Sequence, residues 1–283
     1  MALKDILVQV DEKRGHDSRL ALAAMLASRN DAHLVGLFVV EPVSFSALTT
    51  PGGSDFAAAA AFQAIEQEHR AACLKRGERL AALFRDTADR AGVNSEWRIA
   101  EDDIATATAL HARYADLAVL GQADPDNPPL GIGVPETVLL GSGRPVLVVP
   151  FIGAKNMGQR VLVAWNATRE AARAVNDALP LLAQAEKVTV LSVNPARGIG
   201  GEGDLPAADI ALHLARHGVK AEAAYTVAEE VDVGDIILSR AADLGADLIV
   251  MGGYGHSRAL EFVLGGATRT LLRHMTVPVL LSH

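Results

Sequence analysis

Glycines at spacings suited to phosphate chemistry lie near the C-terminal end of the chain. They occur in Met251-Gly252-Gly253-Tyr254-Gly255-His256-Ser257-Arg258 and in Leu264-Gly265-Gly266-Ala267-Thr268. The apolar run Asp247-Leu-Ile-Val-Met251 just before them reads as a short buried strand. Gly265-Gly266 opens a segment of helical character, so the order is strand, glycine-rich turn, helix. Glycine lets the backbone come close to a ligand, and a helix N-terminus offers free N–H groups to an anion. The chemistry this suits is the holding of a phosphate. His256 and Arg258 would neutralise it or sit in a solvated loop, and Ser257 suits a cap or turn better than phosphoryl transfer.

The elements that must position these residues alternate in type. Strands are expected at 5–10, 33–40, 95–100, 116–120 and 144–149. Helices are expected at 17–29, 56–91, 102–114 and 134–141, the second of them long, Ala-rich and broken near its middle. The order then recurs. Strands at 160–165, 187–193, 221–226, 247–251 and 277–281 enclose helices at 169–184, 206–217 and 232–245. Tyr114-Ala-Asp-Leu-Ala-Val-Leu-Gly121 parallels Gly245-Ala-Asp-Leu-Ile-Val-Met-Gly252, and Arg144-Pro-Val-Leu-Val-Val parallels Val277-Pro-Val-Leu-Leu-Ser. Alternating strands and helices imply a parallel sheet covered on both faces, with ligands bound beyond the C-terminal strand ends where strand order reverses. Neighbouring first and fourth strands would bring Asn166 beside Gly252.

The spacing Gly252-x-x-Gly255-x9-Gly265, the strand-end Asp11 and the closing Pro-Val-Leu strands resemble the universal stress protein family in its tandem two-domain form. The resemblance covers nearly the whole chain. It implies an α/β fold of two Rossmann-like (adenine nucleotide alpha hydrolase-like) copies, at 1–152 and 157–283. Each would have a five-stranded parallel sheet of order 3-2-1-4-5, and the copies would pack as an intrachain pseudo-dimer. It also implies ATP, with or without Mg²⁺, at the glycine motif of the second copy. Ala164, Trp165 and Asn166 would flank adenine and ribose, and the Val193 backbone would touch adenine. Met251, Gly252, Tyr254 and Gly255 would line ribose and phosphates, with His256 beside them. Gly265, Gly266, Ala267 and Thr268 would offer N–H groups and a hydroxyl to the phosphates.

Two departures lower the expected affinity. Asn166 stands where the family has Asp, and a charge-assisted hydrogen bond is roughly twice as strong as a neutral one. Gly266 stands where the family's binders have Ser or Thr. The first copy keeps Asp11 but follows Gly121 with Gln-Ala-Asp-Pro-Asp-Asn-Pro-Pro. Prolines lack N–H donors, and Asp124 and Asp126 would repel phosphate. That copy is therefore expected not to bind nucleotide, and Gly131-Ile-Gly133 reads as an ordinary loop.

Other features weigh less. Gly198-Ile-Gly-Gly-Glu-Gly203 matches a dinucleotide fingerprint but follows a second strand instead of a first, so it reads as a loop. Trp165 suits base stacking and strand-end packing equally. Cys73 reads as packing in the Ala-rich helix, and Arg269, Arg273 and His274 as dipole complements of the last helix.

Composition narrows the classes. The 283 residues are 50% hydrophobic with net charge −8, which disfavours nucleic acid and anionic membrane surfaces. One cysteine excludes an intrachain disulfide, and no stretch of 18 apolar residues or leader-like N-terminus occurs; a cytoplasmic protein is expected. Walker A, H-E-x-x-H, G-x-S-x-G and C-x-x-C patterns are missing, so slow turnover or none is expected. The leading reading is a stress-response sensor or regulator that binds an adenine nucleotide and an unknown protein partner, with a further homodimer open. Two rivals remain: a non-nucleotide-binding interaction protein of the same fold, and a slow ATPase or autophosphorylating protein. Gly255→Asp, which adds bulk and negative charge to the motif, should abolish nucleotide binding in calorimetry; undiminished affinity would refute the proposed location.

Overall fold

The computed structural model describes residues 2–43, 55–124, 126, 132–195, 206–228, 230–254 and 266–283, with backbone alone for 55–59. The first half runs β1 Asp5–Gln9, α1 His16–Asn30, β2 His33–Val40, α2 Asp55–Arg90, β3 Ser95–Glu101, α3 Ile104–Ala112, β4 Leu117–Gly121, α4 Val134–Ser142 and β5 Val146–Val149. The second half repeats it as β6 Arg160–Trp165, α5 Arg169–Leu182, β7 Lys187–Val193, α6 Ala208–Arg216, β8 Ala221–Thr226, α7 Val233–Leu244, β9 Leu248–Gly252, α8 Gly266–His274 and β10 Val279–Ser282.

Strand side chains alternate between two apolar layers, as a sheet buried on both faces requires. Ile6, Val8, Val161 and Val163 enter one core with α1, α2, α5 and α6. Leu7, Leu162, Ile249 and Met251 enter the other with α3, α4, α7 and α8. Local chemistry sets several boundaries. Asp232 accepts a hydrogen bond from the Gly234 N–H at 2.8 Å and starts α7. Gly245, at φ 60°, closes the same helix and donates to the Ala241 and Ala242 carbonyls. The expected closing strands begin later than their prolines, because Pro145 and Pro278 have no N–H and serve only as acceptors, for Ala118 and Ile249.

α2 is one continuous helix of 36 residues, not the broken one expected. Gly77 is the obvious weak point, yet it lies against the Phe38 ring, where a Cβ would come within 3.0 Å. Close packing on β2 there offsets the usual glycine penalty of about 1 kcal/mol.

Each half has the strand order 3-2-1-4-5, and the two halves share a single ten-stranded sheet, β3-β2-β1-β4-β5-β10-β9-β6-β7-β8. All pairings are parallel except β5 with β10, which run antiparallel with Leu147 opposite Leu280. Buried Gln122, just after β4, pins this seam. Its amide nitrogen donates to the Leu272 and Arg273 carbonyls at 2.9 and 3.1 Å, and its oxygen accepts from the Phe151 N–H at 3.0 Å. The linker after β5 also folds back on α1, where Ser18 Oγ donates to the Ala154 carbonyl and accepts from the Ala154 N–H. Among the described residues, no helix is long and apolar enough to cross a membrane.

Gln122→Leu leaves three backbone groups without their partner. It should lower the unfolding free energy by about 1–3 kcal/mol, read as a shift in the urea midpoint with an unchanged slope.

Candidate functional site

β6 and β9 lie side by side in register, Ala164 opposite Met251, so Trp165-Asn166 and Gly252-Gly253 leave the sheet together. β7 flanks β6 on its other side and ends at Val193. This is where strand order reverses in the second half, the usual crevice of such sheets. Ala164 and Val193 are half-buried against the core on the α7 and α8 side. Trp165 is half-buried against the opposite core, which is packing at a strand end.

Asn166 is exposed. Its Oδ1 accepts from the Thr168 N–H at 3.3 Å and from the Thr168 hydroxyl at 2.8 Å. Thr168 in turn caps α5 by accepting from the Ala171 N–H. The amide oxygen is thus engaged in the turn into α5, and what the amide adds beyond this is its NH₂ donor.

The glycines divide into two kinds. A Cβ on Gly252 would stand 2.5 Å from the Ala171 nitrogen and 2.6 Å from the Glu170 carbonyl carbon. Glycine is required there for α5 to seat on β9, whatever binds above. Glu170 is buried at that contact. Desolvation pushes its pKa up, but bonds from Arg169 and its own N–H, with the charges of Arg169 and His283, hold it below the ordinary value. Gly253 donates its N–H to the Ser282 carbonyl at 2.8 Å and accepts from His283 Nδ1 at 3.0 Å. A side chain on it would also strike Leu139 of α4, so the loop is clamped between the two halves.

Gly266 differs, because a Cβ there meets nothing closer than Asp232 Oδ2 at 3.6 Å. It is exposed at the start of α8, with Ala267 half-buried and Thr268 buried behind it. The first N–H groups of a helix have no partner within it, and a helix start of this kind suits an anion. Gly255, His256 and Gly265 lie outside the described residues, as do Ser257, Arg258 and the glycine run 198–203.

Tyr254 adopts φ 59°, a left-handed backbone that costs a non-glycine residue about 1–2 kcal/mol. Its ring packs into the core that α4 and α8 share, and its buried hydroxyl has no hydrogen-bond partner among the described residues. Burial raises its pKa far above the ordinary value, and the charge of Glu136 in α4 adds to this while Arg269 in α8 opposes it. The side chain therefore faces the seam between the halves, and it is the backbone that borders the crevice.

In the first half the corresponding places hold the protein's own groups. Arg19 is 3% exposed and its guanidinium fills the space a Cβ on Gly121 would take. It donates to Asp11 Oδ1 at 2.6 Å, and Gln9 donates to Asp11 Oδ2. At the head of α4, Glu136 folds its carboxyl back over Gly133. Strand end and helix end are both occupied by charged side chains.

With this geometry in view, comparison with known proteins gives a consistent result. The sequence profile of the universal stress protein family matches residues 2–150 and again 157–283. The chain belongs to the universal stress protein family. A universal stress protein from Archaeoglobus fulgidus superposes with a TM-score of 0.71 at 16% identity, covering 98% of this chain and 95% of that one. A functionally unknown protein from Pseudomonas aeruginosa PAO1 gives 0.59 at 17% identity, covering 99% and 92%. These likenesses establish the fold. No curated protein matches the sequence.

Three residues of this universal stress protein were not singled out by sequence reasoning: Arg19, Glu136 and Asp232. Arg19 was visible as a charge at the edge of the apolar stripe Leu20-Ala-Leu-Ala-Ala, and Glu136 as the acid three residues after Gly133. Asp232 carries the ordinary cap pattern Asp-Val-Gly, which says nothing about α8.

Burial raises the Glu136 pKa, against its own N–H and the charge of Arg269. A carboxyl with a raised folded-state pKa contributes stability below the ordinary glutamate value of about 4.3 and loses it as pH climbs through the higher folded value. Glu136→Gln carries no such titration. Its stability relative to the natural protein should therefore rise between about pH 4 and pH 7, measured by urea unfolding at both ends.

Proposed function

We propose that this universal stress protein is a cytoplasmic stress-response sensor or regulator that binds ATP or another adenine nucleotide in its second domain. The domains are taken as 1–152 and 157–283, the first with its glycine motif lost. The observation that carries the reading is the register of β6, β7 and β9, which sets Asn166, Val193 and Gly252 at neighbouring strand ends where strand order reverses. The residues of α8 fit such a ligand at its phosphate end, with an exposed glycine at 266 and the buried Thr268 two residues on. Adenine and ribose would be met by Ala164, Trp165, the Asn166 amide, Val193 and Met251. The first domain supports the reading by contrast, since Arg19, Asp11 and Glu136 fill its counterpart positions.

A second reading is an interaction protein of the same fold that holds no nucleotide. What favours it is Asn166, whose Oδ1 is already engaged by Thr168, so that ribose hydroxyls meet an amide NH₂ and no free acceptor oxygen. Calorimetry with ATP, ADP and AMP separates the two. Saturable heats for at least one nucleotide are expected, and their absence for all three at millimolar concentration would sink the nucleotide reading in favour of the second.

A further inference from the structure

We propose that His213 and His217 form a surface chelate for a borderline transition-metal dication, such as Ni²⁺, Cu²⁺ or Zn²⁺, at the C-terminal end of α6. α6 runs from the end of β7 back to the start of β8, so this end lies at the opposite edge of the strands from the crevice. The site is independent of the nucleotide reading.

Two residues at i, i+4 spacing share one face of a helix. His213 lies inside α6 and His217 is its C-cap. Their ring centroids are 4.8 Å apart, with the planes inclined at 60°. A metal stands about 2.0–2.1 Å from an imidazole nitrogen, and so about 3.2 Å from the ring centre. Two rings meeting one ion at about 90–110° then have centres about 4.5–5.2 Å apart, a range that contains the observed separation.

The backbone beneath the pair is already fixed. The carbonyl of buried Leu214 accepts from the His217 N–H at 2.9 Å and from the Val219 N–H at 3.1 Å, and Val219 is buried in turn. An ion therefore has little to order on binding. Neither ring makes a hydrogen bond or an ion pair among the described residues. His16, His33, His69 and His283, by contrast, each have a polar partner.

The carbonyls at a helix C-terminus favour a cation. Imidazole nitrogen suits Cu, Ni and Zn, whereas Mg²⁺ takes oxygen ligands. Among the described residues no third His, Cys, Asp or Glu side chain completes the set, so water fills the remaining positions. His69 and Cys73 in α2 have the same spacing, with Nε2 3.5 Å from Sγ. Arg76 approaches that sulfur at 3.8 Å, and its charge repels a cation there.

Ni²⁺ is titrated calorimetrically into the full chain in the presence of excess Mg²⁺. One saturable site is expected. His213→Gln and His217→Gln should each weaken it roughly tenfold or more, because a chelate becomes a single ligand. Cys73→Ser should leave it unchanged. Absence of a saturable Ni²⁺ site, retention of its affinity in either His variant, or its loss in Cys73→Ser overturns the chelate. Each of these results leaves the nucleotide reading untouched.

Discussion

The antiparallel pairing of β5 with β10 is the contact on which the molecule's organisation depends. Three residue pairs, Val148–Val279, Leu147–Leu280 and Val146–Leu281, join two parallel sheets into one. A strand edge left open on either half would expose unpaired N–H and C=O groups beside a fully apolar strand. Pairing the two closing strands removes both edges at once. It also fixes where everything else must go: α4 and α8 come together on one face, Gln122 reaches the end of α8, and Leu139 presses on Gly253. Gly253, just after β9, thus lies against Leu139 of the first domain.

The strand ends of the two halves differ within one repeated fold. In the first, buried Arg19 pairs with half-buried Asp11 under Gly121, and the head of α4 is covered by Glu136. Such a pair is costly to break, because the partner left behind is an uncompensated charge. In the first half, then, charged side chains take the places beside Gly121 and Gly133. In the second, the strand ends carry Asn166 and Gly252, and among the described residues only Asp232 approaches Gly266.

Much of this was legible in the chain. The alternation of apolar strands and helices, the duplicated Ala-Asp-Leu and Pro-Val-Leu segments and the glycine spacing pointed to two copies of one α/β unit, and the sheet order within each copy is the expected one. The clearest miss was α2, expected to break and found continuous, because Gly77 is matched to the Phe38 ring on another element. Packing between distant segments decides such a case, and local propensity does not see it. The glycines of the motif were harder still. They looked alike in sequence, but among the described residues Gly252 answers to α5, Gly253 to Leu139, and Gly266 meets only Asp232.

By itself the sequence determined the periodic pattern: which stretches are strands or helices, that they come twice, and that one copy retains the phosphate-type glycines while the other carries prolines and acids. Those properties reside in residue types and short spacings. Only the tertiary structure decided which charged groups meet. Arg19 lies eight residues from Asp11 but far in sequence from Gly121, and Asp232 lies 34 positions from Gly266. Such encounters depend on how helices cross over a shared sheet, and helix crossings are set by side-chain packing across the whole core, which no local window of the chain contains.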